Sequence, residues 1–234
     1  MKKYKLTNET TECNGVTLYR IKALKDFANV KKGDKGGFVQ SEDNLSQFDN
    51  CWVYENAKVY GNACVFENVK VFGNANVFGN TFVFGSANVY GNAVVYENAK
   101  VYGFANVYGD AKVYGFAKVY GFANVYGFAN VYGDAKVYEN VKVRGNADVY
   151  GRAEVRGNAE VGNDSDYIVF KNWWSSGRFF TWTRSNNMWK VGCFYGIGEE
   201  LIRKAYADSE MSGREYERIV KYVESILNDN AISI

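Results

Sequence analysis

The chain contains no histidine. That absence removes imidazole general bases and every histidine-ligated metal site. It also has no proline, against 24 glycines. Its four cysteines, Cys13, Cys51, Cys64 and Cys193, form no C-x-x-C pair, which argues against a zinc site. Scattered thiols of this kind fit a reducing cytoplasm. No run of about 18 apolar residues is present, so no membrane-spanning helix is expected. The opening Met1-Lys2-Lys3-Tyr4-Lys5-Leu6-Thr7-Asn8-Glu9 leads into no apolar stretch, and no secretory signal is read there. Charge bias is missing as well: 28 basic and 26 acidic residues leave a net charge of +2. Bulk electrostatics therefore selects no partner, and neither nucleic acid nor a membrane is expected as one.

What is present is an internal repeat. A valine falls on every sixth position from Val53 to Val161. Two residues earlier sits a small residue, as in Ala57, Ala63, Ala75, Ala87, Ala93, Ala99 and Ala105, with Cys51, Val69, Thr81 and Val141 as the exceptions. An aromatic residue follows every valine from Tyr54 through Tyr138, and then come Gly and Asn. The unit is Ala-x-Val-(Tyr/Phe)-Gly-Asn. In an extended segment, residues two apart share a face, so Ala and Val point one way and x the other. Gly and Asn accept positive φ readily and supply the turn. A chain that turns every six residues closes a three-sided coil of 18 residues, and successive coils pair at the sheet spacing of about 4.8 Å. Residues 51–162 supply about six such coils, with Val stacked on Val and Ala on Ala inside.

This pattern resembles the hexapeptide repeat of left-handed parallel β-helices, and the left hand is implied by that resemblance. The expected fold is all-β dominated, a three-sided solenoid with an N-terminal β cap and a small C-terminal α+β unit. Residues 1–44 form the cap, 45–162 the solenoid and 163–234 the C-terminal unit. Val39, Leu45 and Cys51 already fall on the six-residue register, which places the first turn near residue 38. In the cap, strands at Tyr4–Thr10 and Thr17–Ala23 flank an Asn14-Gly15 turn. Beyond Val161, strands are expected at Tyr167–Phe170, Phe179–Thr183 and Trp189–Phe194. Helices are expected at Glu199–Ala207 and Arg214–Leu227. The second carries an apolar stripe of Tyr216, Ile219, Val220, Val223 and Leu227.

The runs Leu18-Tyr19-Arg20-Ile21-Lys22-Ala23-Leu24, Lys32-Gly33-Asp34-Lys35-Gly36-Gly37-Phe38-Val39 and Gly192-Cys193-Phe194-Tyr195-Gly196 resemble a group of phage- and prophage-borne hexapeptide-repeat proteins. The resemblance implies a viral or mobile-element context and carries over no catalytic residue. Hexapeptide-repeat acyltransferases and carbonic anhydrases depend on histidine, and no Gly-rich phosphate motif of a nucleotidyltransferase follows a strand here. No enzyme activity, cofactor or metal is expected.

Three sets of residues are candidates for binding. Phe104, Phe116, Phe122 and Phe128 replace Asn at outward turn positions, an apolar girdle that marks an oligomer or partner contact unless the C-terminal unit covers it. Dimers or trimers are the expected assemblies. Lys100, Lys118 and Lys136 lie 18 apart, so they should stack on one face as a solvated column or an anion site, with Glu154 next in line. In the C-terminal unit Trp173, Trp174, Arg178, Trp182, Arg184 and Trp189 have the composition of a binding surface, or form the core. The aromatic columns themselves are self-stacking or a platform for sugars, with Arg144 and Arg156 continuing two of them over Tyr126 and Tyr138. Together these features read as a cytoplasmic, non-catalytic binding protein for a host protein, a defence component included, or for a small anionic ligand. A glycan-recognising virion component and a hexapeptide-repeat transferase are the alternatives.

Overall fold

The computed structural model describes residues 2–232. Strands β1 (Tyr4–Cys13), β2 (Val16–Ala23) and β3 (Lys35–Val39) precede nineteen two-residue strands, β4 (Trp52–Val53) through β22 (Glu160–Val161), one per repeat. Every third strand pairs in parallel. The first face runs from β4 through β7 to β22, the second from β3 through β5 to β20, and the third from β6 through β9 to β21. From β4 onward the register is 18 residues, as in Val89↔Val107 and Val107↔Val125, whereas the first turn pairs two residues further on, as in Val39↔Val59. The stack has about seven coils, one more than residues 51–162 supply, because it starts earlier. Phe38 and Val39 pair in parallel with Lys58 and Val59, and Leu45 bridges Val65.

The interior is a column of small aliphatic groups. The repeat valines from Val53 to Val161 are 0–1% exposed, and the alanines two residues before them are 0% exposed. Each valine contributes about 1.5–3 kcal/mol on burial, offset by the entropy of ordering the coil. Thr81 takes one alanine position, and its hydroxyl donates to the Phe78 carbonyl at 2.6 Å. A buried hydroxyl is thereby satisfied.

At the turns, positive φ is confined to the glycine position. Gly85 has φ +78°, and a Cβ built there would lie 2.7 Å from the Gly103 nitrogen of the next coil. Glu55, Glu67, Glu97 and Glu139 occupy this position with φ of 52–63°. Each turns that close approach to use: Gly73, Gly85, Gly115 and Gly157 N–H donate to their carboxylates at 2.7, 2.7, 2.9 and 3.0 Å. The repeat asparagines, in contrast, do not adopt positive φ. Their side chains form ladders along the corners, such as Asn62 to Asn80 at 2.9 Å and Asn80 to Asn98 at 3.2 Å. Asn is therefore selected by hydrogen bonding between coils, which a single repeat read alone does not show.

Both ends of the stack are closed. The β1–β2 hairpin, with Asn14 at φ 51° and Gly15 at φ 74°, extends the second face past β3. Lys3 is 0% exposed, and its amine donates to Asp49 O and Cys51 O at 2.8 and 2.9 Å. Burial lowers its pKa, partly opposed by Cys51. At the other end, last-coil donors that have no further coil find side-chain acceptors. Asp148 N–H reaches Asp164, Glu154 N–H reaches Thr181 Oγ1 and Glu160 N–H reaches Ser185 Oγ, at 2.8, 2.9 and 2.7 Å. Tyr167 and Tyr195 hydroxyls donate to the Asp148 and Arg156 carbonyls at 2.9 and 3.1 Å. The C-terminal unit thus caps the solenoid, removing the free edge that would otherwise template aggregation.

That unit is an antiparallel sheet, β23 (Tyr167–Lys171), β24 (Phe179–Thr183), β25 (Met188–Val191) and β26 (Phe194–Gly196), followed by α1 (Gly198–Asp208) and α2 (Glu210–Ile232). The single strand expected over Trp189–Phe194 is two strands, because Gly192, at φ +53°, turns the chain and Val191 pairs back with Phe194. Helix α2 begins earlier than expected and takes Ser212 and Gly213 into its first turns. Its Tyr216, Val220 and Val223 are buried against Phe180, Trp182 and Trp189, with Ile219 and Leu227 packed beside them. No helix among the described residues is long and apolar enough to cross a membrane.

Candidate functional site

The aromatic columns form three ladders. In the longest, Tyr60, Phe78, Tyr96, Tyr114, Tyr132 and Tyr150 stack at centroid distances of 4.8–5.4 Å with planes within 13°. Interior rungs therefore spend both faces on their neighbours, and no open ring platform for a sugar runs along the shaft. Arg156 lies 5.8 Å over Tyr138, as expected, and 4.9 Å over Tyr195. Arg144 instead approaches Glu160, at 3.7 Å.

The four candidate phenylalanines are exposed, at 55, 62, 57 and 65% for Phe104, Phe116, Phe122 and Phe128. The C-terminal unit does not cover them. They do not form one patch, because an 18-residue coil distributes positions 104, 116, 122 and 128 over three corners. Phe104 and Phe122 share the corner between the third and first faces and stack at 5.0 Å. Phe116 and Phe128 stand alone on the other two.

Among the C-terminal candidates, Trp182 and Trp189 are 1% exposed and belong to the core. Strand alternation cannot say which face of β24 is covered, but α2 packs on the face with Phe180 and Trp182, so these tryptophans are not a binding surface. Trp182 Nε1 donates to Asn187 Oδ1 at 2.9 Å. Trp174 is half-buried, edge-on to Tyr216 at 4.9 Å. Arg184 is partly buried in the cap, and its backbone N–H donates to Asp166 O at 2.8 Å. Trp173, 72% exposed, and Arg178 remain at the surface.

The lysine column is real. Lys100 pairs with Lys118 and Lys118 with Lys136 on the third face. Lys136 is neutralised by Glu154 at 2.6 Å, which also meets Lys190 at 3.2 Å. Burial alone would raise the Glu154 carboxyl, but Lys136 and Lys190 outweigh it and hold the pKa below the ordinary value. Lys100 lies 5.6 Å from the Phe82 ring. Neither Lys100 nor Lys118 has a carboxylate in ion-pair range among the described residues. Beside the column, Asn98, Phe116 and Asp134 from the adjoining corner wall a groove of about 330 Å³.

Asp134 and Lys136 also line a cleft of about 700 Å³ between the last coil and the C-terminal sheet. Arg152, Arg178, Phe179 and Lys190 line it. Only the folding of β24 back onto the last coil brings Arg178 to this face; their separation along the chain hides it from the repeat arithmetic. No protein-family model matches this chain, and no curated protein matches its sequence.

Proposed function

We propose that this chain is a non-catalytic binding protein that holds an anionic partner along its third face. The observation that carries the reading is the adjacency of Lys100 and Lys118 without carboxylate partners, on a rigid sheet and beside a groove. Like charges opposite each other in a sheet are destabilising, so a bound anion that neutralises the column would offset that cost. The partner is an acidic segment of a host protein, and the resemblance of the terminal runs to phage- and prophage-borne repeat proteins supports that context. The test uses a poly-glutamate peptide as probe. The native chain is expected to bind it with an affinity that falls as salt rises, and Lys118→Glu to weaken it by about tenfold or more. Equal binding by both proteins, or by neither, would mean that the column is only solvated.

Self-association is part of the proposal. The exposed Phe104–Phe122 stack is a two-rung apolar ridge on a corner that the rest of the repeat fills with Asn or Ser, and it fits the same ridge or a face of a second copy. The double change Phe104→Asn and Phe122→Asn restores the residue the repeat prefers, so the coil should keep its circular dichroism. Light scattering should show a mass drop to the monomer. An unchanged mass would rule this corner out as the contact.

A further inference from the structure

We propose that the pocket at the open end of the Tyr60–Tyr150 ladder binds a planar aromatic anion of the mononucleotide class. One ladder ends closed, with Tyr138 under Arg156, itself covered by Tyr195, and the column ending at Tyr126 is followed by Arg144, which turns to Glu160. The third ends at Tyr150, which is 48% exposed, whereas the rings below it are covered by their neighbours. Tyr167 meets Tyr150 edge-on, at 6.4 Å and 81°, and so does not continue the stack.

Above Tyr150 lies a pocket of about 420 Å³ whose other walls include Arg152, Ile168, Val169 and Phe179. Ile168, Val169 and Phe179 make its walls apolar, and its charged groups are Arg152 and Asp164, whose Oδ1 is held by the Asp148 N–H at 2.8 Å. The Arg152 guanidinium stacks over Phe179 at 5.2 Å and forms a loose ion pair with Asp134 at 3.8 Å, beyond hydrogen-bonding distance, with no hydrogen-bond acceptor among the described residues. Its donors are thus available to a ligand. Arg152 and Phe179 also divide this pocket from the 700 Å³ cleft, which presents Arg178 and Lys190 on the other side. A flat ring laid on Tyr150 at the ladder spacing would carry an attached phosphate to Arg152 and across it toward Arg178. An aromatic floor beside Arg152, with Arg178 in the adjoining cleft, recognises both parts of a nucleotide, whereas a bare anion would gain nothing from the ladder. Stacking on a protein ring is tolerant of base identity, so the class is set by the ring and the phosphate.

Lys118 lines neither pocket, whereas Lys136 of the same column lines the 700 Å³ cleft, so a change at Lys118 separates this site from the lysine groove. Calorimetric titration of the full chain with AMP, GMP, CMP and UMP, and with adenosine and inorganic phosphate, tests it. At least one nucleotide should bind more tightly than adenosine or phosphate. Tyr150→Ala should weaken that nucleotide about tenfold or more, and Tyr150→Phe should retain it. Arg152→Gln should weaken the nucleotide but not adenosine. Lys118→Glu should leave nucleotide binding unchanged. The proposal is overturned if none of the four nucleotides binds, if phosphate binds as tightly as the nucleotide, or if Tyr150→Ala, shown folded by circular dichroism, binds as the native chain does.

Discussion

Val107→Asp is expected to leave no folded solenoid. Val107 is 0% exposed in a middle coil, stacked between Val89 below and Val125 above. Its side chain points into a column lined by valine and alanine, where no donor is in reach. A carboxylate there is an unpaired buried charge, which costs several kcal/mol even after relaxation. Typical domains hold about 5–15 kcal/mol in total. A solenoid gives the charge no escape, because each coil contacts only its neighbours and a broken middle coil separates the two capped ends. Val107→Ala provides the contrast. It removes two methyl groups at about 0.8 kcal/mol each plus a cavity term, and should melt at a lower temperature with the same circular dichroism. A soluble Val107→Asp chain with native dichroism and melting temperature would refute the inward column.

The shaft was legible because its physics is local and repeated: one valine per six residues, alternating with an outward residue, leaves a single way to bury the valines. Even the uneven placement of Phe104, Phe116, Phe122 and Phe128 is contained in the 18-residue count, although reading them as one girdle overlooks it. The role of Asn was harder to see, since its ladder exists only between coils. The C-terminal unit obeyed no period. Gly192 there marks a hairpin inside what reads as one strand, and Gly213 sits inside a helix that reads as starting after it. The candidate cleft was the least legible. Arg152 and Phe179 face each other only because Thr181 and Ser185 tie the cap to the last coil. Four tryptophans and two arginines close in sequence looked like a surface, but two of those tryptophans are the wall against which α2 packs.

Raising the pH should unfold the protein cooperatively, and the tyrosine ladders decide where. Burial raises the pKa of Tyr90, Tyr96, Tyr102, Tyr108, Tyr114 and Tyr132. Burial, with added repulsion from Tyr102 and Glu154, pushes Tyr120 up to about 12. Tyr60, Tyr138 and Tyr167 are raised as well, again chiefly by burial. In the unfolded chain a tyrosine ionises near pH 10. Below that value both states keep their protons, and these groups give stability no pH dependence. Between about pH 10 and pH 12 the unfolded state loses protons that the folded state retains, so rising pH favours unfolding. The stability held by the ladders is therefore complete below about pH 10 and is lost as pH climbs through the folded values. Lys3 acts in the opposite sense, because its lowered pKa makes folding more favourable as pH rises toward 10.5. It is a single group against many. On one alkaline titration circular dichroism should stay flat past pH 10, and the larger part of the tyrosinate absorbance should then appear together with the loss of dichroism. Tyr120→Phe removes one linked proton and should move the midpoint to higher pH. A gradual absorbance rise centred near pH 10 with unchanged dichroism would show that the phenols titrate freely in the folded chain, and the ladders would then contribute no such linkage.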